Sequence, residues 1–261
     1  MTNKSSGNIR PRTPPLTQCA VCPVRKRALF EGVPEEHLNW TQQFRLNQLV
    51  VPAKQDYLHE GSESDSVYTL FSGWSILYKT LPSGKRQILR FALPGDLIGF
   101  QHNLRSPMQY SAQALTESVY CAFPRARMGE MLSERPELAT RLALMNARDT
   151  ALCHQHLLGT GRKTAKERVA FLLLELYHRV MSLADIMPDA VDDDAIEFPV
   201  AQEEIGDAVG LTTVHVNRTL RELRDEGLVA CSHRRLRILD DARMSEIGQF
   251  DKGVVLSHPL L

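Results

Sequence analysis

The chain is 261 residues long, enough for one large or two modest domains that each bury a core. Its 31 Lys and Arg are balanced by 31 Asp and Glu, which excludes a coat protein that holds nucleic acid through overall positive charge; any contact with DNA must come from a local basic patch. No run of about 18 apolar residues is present for a membrane helix, and the opening Met1-Thr-Asn-Lys-Ser-Ser-Gly-Asn lacks the apolar stretch of a signal peptide. The expectation is a cytoplasmic protein without membrane contact. Its five cysteines, an odd number in a reducing compartment, then read as ligands or sensor thiols and not as a disulfide framework.

Residues 1–18 are rich in Pro, Ser, Thr and Asn and read as a disordered arm. From about 45 to 125 the pattern is β: Val67-Tyr-Thr-Leu-Phe, Ser75-Ile-Leu-Tyr-Lys-Thr and Gln87-Ile-Leu-Arg-Phe-Ala are short strands punctuated by Gly73, Gly84 and Gly95. Short strands with evenly spaced turns predict a small barrel or double-sheet roll. A helix follows from Pro136 to about Leu158, in which Leu138, Leu142, Met145, Asp149, Leu152 and His156 alternate by four and three. That spacing is coiled-coil-like and predicts pairing with a second copy through Leu138, Leu142, Met145, Leu152 and His156; packing on the chain's own roll is the alternative, since Asp149 and His156 interrupt the stripe. A second helix, about Lys163–Ser182, carries the Phe171-Leu-Leu-Leu run, and the acidic, Pro-bearing residues 185–195 read as a surface loop.

The most informative stretch is residues 202–224. They read as two short helices broken at Val209-Gly210-Leu211, with Thr212 as the cap of the second. Val216, Leu220 and Leu223 give that second helix one buried face at i, i+4, i+7. Polar Thr213, His215, Asn217, Arg218, Arg221 and Arg224 share the rest. A helix backed by apolar residues and presenting Asn and Arg suits the major groove, where Arg pairs with guanine and Asn with adenine. Leu228-Val-Ala-Cys231 and Leu236-Arg-Ile-Leu239 flank Ser232-His233-Arg234-Arg235, a hairpin with Arg234 and Arg235 at a basic tip suited to phosphates. The prediction is a winged helix-turn-helix over 161–240, entered by a strand at Ala195–Val200 and followed by a tail at 241–261.

In that order, roll, long helix and winged helix-turn-helix resemble the CRP/FNR family of bacterial transcription regulators over residues 19–240. The motifs that carry the resemblance are Leu93-Pro-Gly-Asp-Leu-Ile-Gly, Lys166-Glu-Arg-Val-Ala and Ile205-Gly-Asp-Ala-Val-Gly-Leu-Thr. It implies an α+β fold: an N-terminal cyclic-nucleotide-binding-like β-roll (19–135), a long dimerisation helix (136–160) and the C-terminal winged helix-turn-helix. It also implies a homodimer on double-stranded DNA with a palindromic operator, and RNA polymerase as a partner. Where the FNR branch has a Glu-x-x-Ser-Arg set, this chain has Val214, Asn217 and Arg218, so the arginine is shared and the acid is lost.

The resemblance speaks against cyclic AMP and for cysteine chemistry. At the positions of the ribose-binding Glu and the phosphate-binding Arg-Ser pair of the CRP branch stand Phe100 and Tyr110-Ser111, and the base-contacting Thr-Ser pair is replaced by Cys153-His154. Without the arginine a cyclic phosphate has no bidentate partner. Cys19-Ala-Val-Cys22 and Val119-Tyr-Cys121 resemble the two segments that bind a 4Fe–4S cluster in the FNR branch. The further cysteine expected after Cys22 is replaced by Ala28, Leu29 and Phe30, and Glu31 is the nearest candidate for a fourth ligand. A regulator without cofactor, controlled by its abundance or by a thiol switch, is the competing reading. Cys153 and Cys231 read as small buried apolar residues. An enzyme has little support, with no Gly-x-Ser-x-Gly elbow, phosphate-cradling glycine loop or His-Glu-x-x-His site.

Overall fold

In the computed structural model, residues 9–13 and 16–255 are described, and they fall in two compact units, Met1–Met145 and Asn146–Leu261. The first unit is the expected roll. Its elements are β1 (Arg10–Pro11), α1 (Leu38–Phe44), β2 (Asn47–Val51), β3 (Asp56–Leu58), β4 (Ser66–Ser72), β5 (Ser75–Thr80), β6 (Arg86–Ala92), β7 (Leu97–Ile98), β8 (Ser111–Ala114), β9 (Ser118–Pro124) and α2 (Met128–Glu134). They form two antiparallel sheets, ordered β1-β2-β9-β4-β7 and β3-β8-β5-β6.

Strand alternation on β9 divides the unit's core in two. Tyr120 faces the cluster of Val51, Leu70, Ile98 and Ala112 inside the roll, while Cys121 and Phe123 face Leu29, Phe30, Phe44 and Met128 on the other side of the sheet. A cysteine distant in sequence is thereby turned toward the segment that carries Cys19 and Cys22.

The long helix is present as α3 (Pro136–Arg162), but its apolar stripe has a different use from the one predicted. Leu138, Leu142 and Met145 lie in the core with Phe30, Phe44, Phe123 and Met131, and Leu152 is 4 % exposed. His156 bonds Glu175 at 2.7 Å and sets its ring edge-on to Phe171. All five residues predicted as dimer contacts are thus spent within a single chain. An apolar three-four repeat marks a buried face without saying what covers it, and here the chain's own core does.

The second unit continues with α4 (Ala165–Met181), β10 (Val191–Asp192), β11 (Ala195–Glu197), α5 (Gln202–Val209), α6 (Thr213–Asp225), β12 (Val229–Ser232), β13 (Arg235–Ile238) and α7 (Asp241–Gly248). Thr164 and Glu167 close a capping box at the start of α4, and eleven of its seventeen residues are buried, so it is the central post of the unit. Glu175 on this helix is 3 % exposed and is satisfied by His156 and, at 3.3 Å, by Arg179. Burial alone would raise its pKa, but the two cations hold it below the usual carboxylate range.

Three expectations change. Arg10–Pro11 is an edge strand on β2, tied down further by Arg12 N–H to the Gln48 carbonyl at 2.7 Å, so this part of the arm is ordered; residues 1–8, 14 and 15 of the predicted arm lie outside the described residues. The acidic segment 185–195 contributes β10 to the sheet ordered β10-β11-β13-β12. The tail folds as α7, capped by Asp240 through its bond from Arg243 N–H at 2.9 Å, and only residues 256–261 of it are undescribed.

Candidate nucleic-acid interface and cysteine pocket

The helix-turn-helix follows from two glycines and two caps. Gly210 ends α5 with φ +68, the left-handed conformation for which glycine is best suited. A Cβ on Gly206 would sit 2.6 Å from the Leu211 carbonyl oxygen, so the turn closes onto bare backbone. Glu204 bonds the Ala201 N–H at 2.7 Å at the start of α5, and Thr212 accepts from His215 N–H at 3.3 Å at the start of α6. Val216, Leu220 and Leu223 are buried as predicted, at 0, 5 and 0 % exposure.

That burial turns the other side of α6 outward. Thr212, Thr213, Val214, His215, Asn217, Arg218 and Arg221 are all exposed. Asn217 donates to the Gln202 side chain at 3.1 Å, and the Arg218 guanidinium lies 3.9 Å from Glu222 on the same face. Both are loose surface contacts that a DNA partner can displace.

The wing is tighter than the sequence suggests. Ser232 pairs with Arg235, so His233 and Arg234 alone make the turn, with φ of 50 and 60. Arg234 is exposed at the tip. Arg235 departs from expectation: it is half-buried, and its guanidinium donates to the Ala190 carbonyl at 3.3 Å, bracing the segment before β10. Period-two alternation along β13 turns it toward the segment at Ala190 of the same chain. Cys231, one residue before the tip's flanking serine, is half-buried, and Cys153 on α3 is exposed where a buried residue was expected.

Cys19, Cys22 and Cys121 line one pocket, partly open to solvent, together with Val24, Arg25, Ala28, Phe30, Thr41, Arg45, Thr69, Phe71 and Phe123. The N-terminal pair is set by two successive short 3-10 turns, Cys19–Val21 and Pro23–Arg27, and Cys19 N–H bonds the Gln42 side chain at 3.0 Å. Gln48 on β2 stands directly across from Cys121 on β9 and donates to its sulfur at 3.3 Å. Burial pushes the Cys19 thiol up to about 11 against the opposing pull of Arg45, and raises Cys22 as well. Glu31 is not part of this lining. It pairs with Arg141 at 2.5 Å outside the pocket: nearness in sequence did not become nearness in space. Ala28 does line the pocket, six positions after Cys22. Among the described residues no three His, Cys, Asp or Glu side chains close on a single metal-ion position.

The two side chains that replace the phosphate-binding pair of the CRP branch are both engaged by backbone. Tyr110 accepts the Gly99 N–H at 2.8 Å, and Ser111 accepts the Glu60 N–H at 3.0 Å. Tyr57, Tyr68 and Tyr120 pack mutually at ring distances of 4.4 to 6.2 Å.

These two units match two family models, a cyclic nucleotide-binding domain at residues 48–135 and a Crp-like helix-turn-helix domain at residues 167–247. The chain belongs to the CRP/FNR family and is a DNA-binding transcription regulator, not an enzyme. It is 31 % identical to the nitrogen fixation regulation protein FixK of Bradyrhizobium diazoefficiens, over 88 % of this chain and 93 % of that one. The transcriptional activator protein FnrL of Cereibacter sphaeroides is 29 % identical over 88 % of this chain and 92 % of its own. Among solved structures, FixK2 of Bradyrhizobium japonicum superposes with a TM-score of 0.65 at 25 % identity, covering 77 % of this chain and 96 % of that one. Among the described residues no helix is long and apolar enough to cross a membrane.

Proposed function

We propose that the chain acts as a homodimer that reads a palindromic operator through α6 and takes its signal, oxygen or redox state, at the Cys19, Cys22 and Cys121 pocket. The observation that carries the signal is the convergence of three thiols, from two turns and one strand, on one apolar cavity. Such a donor set would suit an iron–sulfur cluster, which the Cys19, Cys22 and Cys121 thiolates would hold. A fourth protein ligand is lacking at Ala28, so that position falls to a non-protein ligand. When bound, the cluster supplies an oxygen-labile redox centre. The protein's own part is to shield it with Phe30, Phe71 and Phe123, to offset thiolate charge with Arg25 and Arg45, and to hold Cys121 through Gln48. A thiol switch is the weaker reading, because burial raises the Cys19 and Cys22 thiols and so disfavours the reactive thiolate. A cyclic nucleotide is not the ligand we propose, since at the position where the CRP branch has its phosphate-binding arginine the Tyr110 hydroxyl takes the Gly99 N–H.

The dimer is assigned to the exposed side of α3. Ala147, Thr150, His154 and Leu157 alternate by three and four there, and Leu157 is 69 % exposed. Two such faces can approach closely and bring two copies of α6 to the half-sites of one operator, where RNA polymerase is the expected partner.

Protein purified without oxygen should be coloured and contain iron. Cys121→Ala should lose the colour, the iron and the oxygen dependence of operator binding, with Cys231→Ala as a silent control. Ala28→Cys should make the colour persist longer in air. Colourless, iron-free protein that binds its operator equally with and without oxygen refutes the cluster.

A further inference from the structure

Val214 has no use in the fold. It is 78 % exposed, above every other exposed large hydrophobic side chain among the described residues. It stands second in α6, where a β-branched apolar residue adds little to helix stability and an acidic one would suit the helix dipole better. Asn217, Arg218 and Arg221 follow it at i+3, i+4 and i+7, so an apolar spot sits at the leading end of an otherwise polar and basic face.

A recognition helix meets base edges with its N-terminal residues. In the major groove those edges carry hydrogen-bond donors and acceptors, and a single apolar group, the 5-methyl of thymine. Valine can neither donate nor accept. Set against cytosine or adenine it would strand an exocyclic amino donor away from water; set against thymine it gains methyl burial. Resting on the reading of α6 as the operator-binding helix, we propose that Val214 selects a thymine in each half-site by packing on its 5-methyl group, beside the bases read by Arg218 and Asn217.

The test uses the full-length chain and a duplex selected from a random-sequence library, in which each thymine in turn is replaced by deoxyuridine. This removes the methyl and leaves every hydrogen-bonding group in place. At one thymine per half-site the wild type should lose about fourfold in affinity, the equivalent of about 0.8 kcal/mol for one buried methyl or methylene. Changing both half-sites should give about fifteenfold. Val214→Ala should bind the thymine and deoxyuridine duplexes within twofold of each other at that position, while keeping its sensitivity to guanine changes. If no thymine distinguishes wild type from Val214→Ala, and Arg218→Ala still loses binding, the proposal is overturned and the reading of α6 stands. If Arg218→Ala binds the selected duplex like the wild type, or no duplex is selected, the reading of α6 fails as well.

Discussion

Substituting glutamate at Leu157 and at Met145 separates the two faces of α3. Leu157 exposes 69 % of its surface and Met145 only 7 %. Fully burying a leucine is worth about 1.5–3 kcal/mol, so covering that exposed share in a dimer contributes about 1–2 kcal/mol per copy. A symmetric interface buries it twice, and Leu157→Glu removes about 2–4 kcal/mol, weakening the dimer by about 30- to 700-fold before the repulsion of two facing carboxylates is added. Thermal stability of the separated chains should barely move, since exposed positions contribute within about 0.5 kcal/mol. Met145→Glu behaves in the opposite way: it buries a carboxylate among Phe30, Phe123 and Met128 and unfolds the roll or drives the acid to protonate. Sedimentation velocity combined with a thermal melt distinguishes the two outcomes. A dimer of Leu157→Glu that survives at the wild-type concentration range would refute the assignment.

Arg218→Ala should cost about 1–3 kcal/mol at each half-site, read by fluorescence anisotropy at matched salt, whereas Arg235→Ala should chiefly loosen the wing. Arg234→Ala should weaken binding to all sequences alike and lower the salt slope by about one per half-site. Because His233 and Arg234 both hold left-handed backbone, His233→Asn with Arg234→Gly should stabilise the DNA-binding unit by a calorimetric scan while weakening DNA binding; an unchanged or lower melting temperature would dismiss strain at the tip. Partial burial of His156 would lower its pKa, but Glu175 outweighs this and raises it. Its stabilising contribution is therefore full below the ordinary histidine value and lost as pH rises through the raised one. The wild type should lose stability across that interval, and His156→Gln should lose less in the same denaturant titration.

The DNA-binding half was legible because its signals are local. Gly210, Thr212 and the Val216, Leu220, Leu223 stripe each fix a turn, a cap or a buried face without reference to distant residues. The cysteine pocket was legible in membership and not in completion: Cys121 reaches it because β9 alternates, but nothing in the sequence shows that Glu31 is captured by Arg141. The stripe on α3 was legible as a buried face and not in what covers it: Leu138, Leu142 and Met145 carry the strongest apolar signal, and they belong to the chain's own core. β1 could not be found from Arg10–Pro11, since its pairing depends on β2 forty residues on. α7 has a local signal: Asp240 before Asp241-Ala-Arg-Met-Ser-Glu is a capped helix start.

α7 also decides where this protein can be divided. The carbonyl of Gly248 receives the buried Lys163 ammonium at 2.8 Å, and a Cβ on that glycine would come within 3.0 Å of the Phe171 backbone nitrogen. Phe250 then stacks on His178 and meets Phe171 edge-on. A fragment ending at Leu239 would retain every residue that faces the operator and still leave Phe171 uncovered and Lys163 without its acceptor. Isolated DNA-binding fragments should therefore run through Val255, and a bulky side chain engineered at position 248 should lift the closing helix off α4 and melt the reading head from behind.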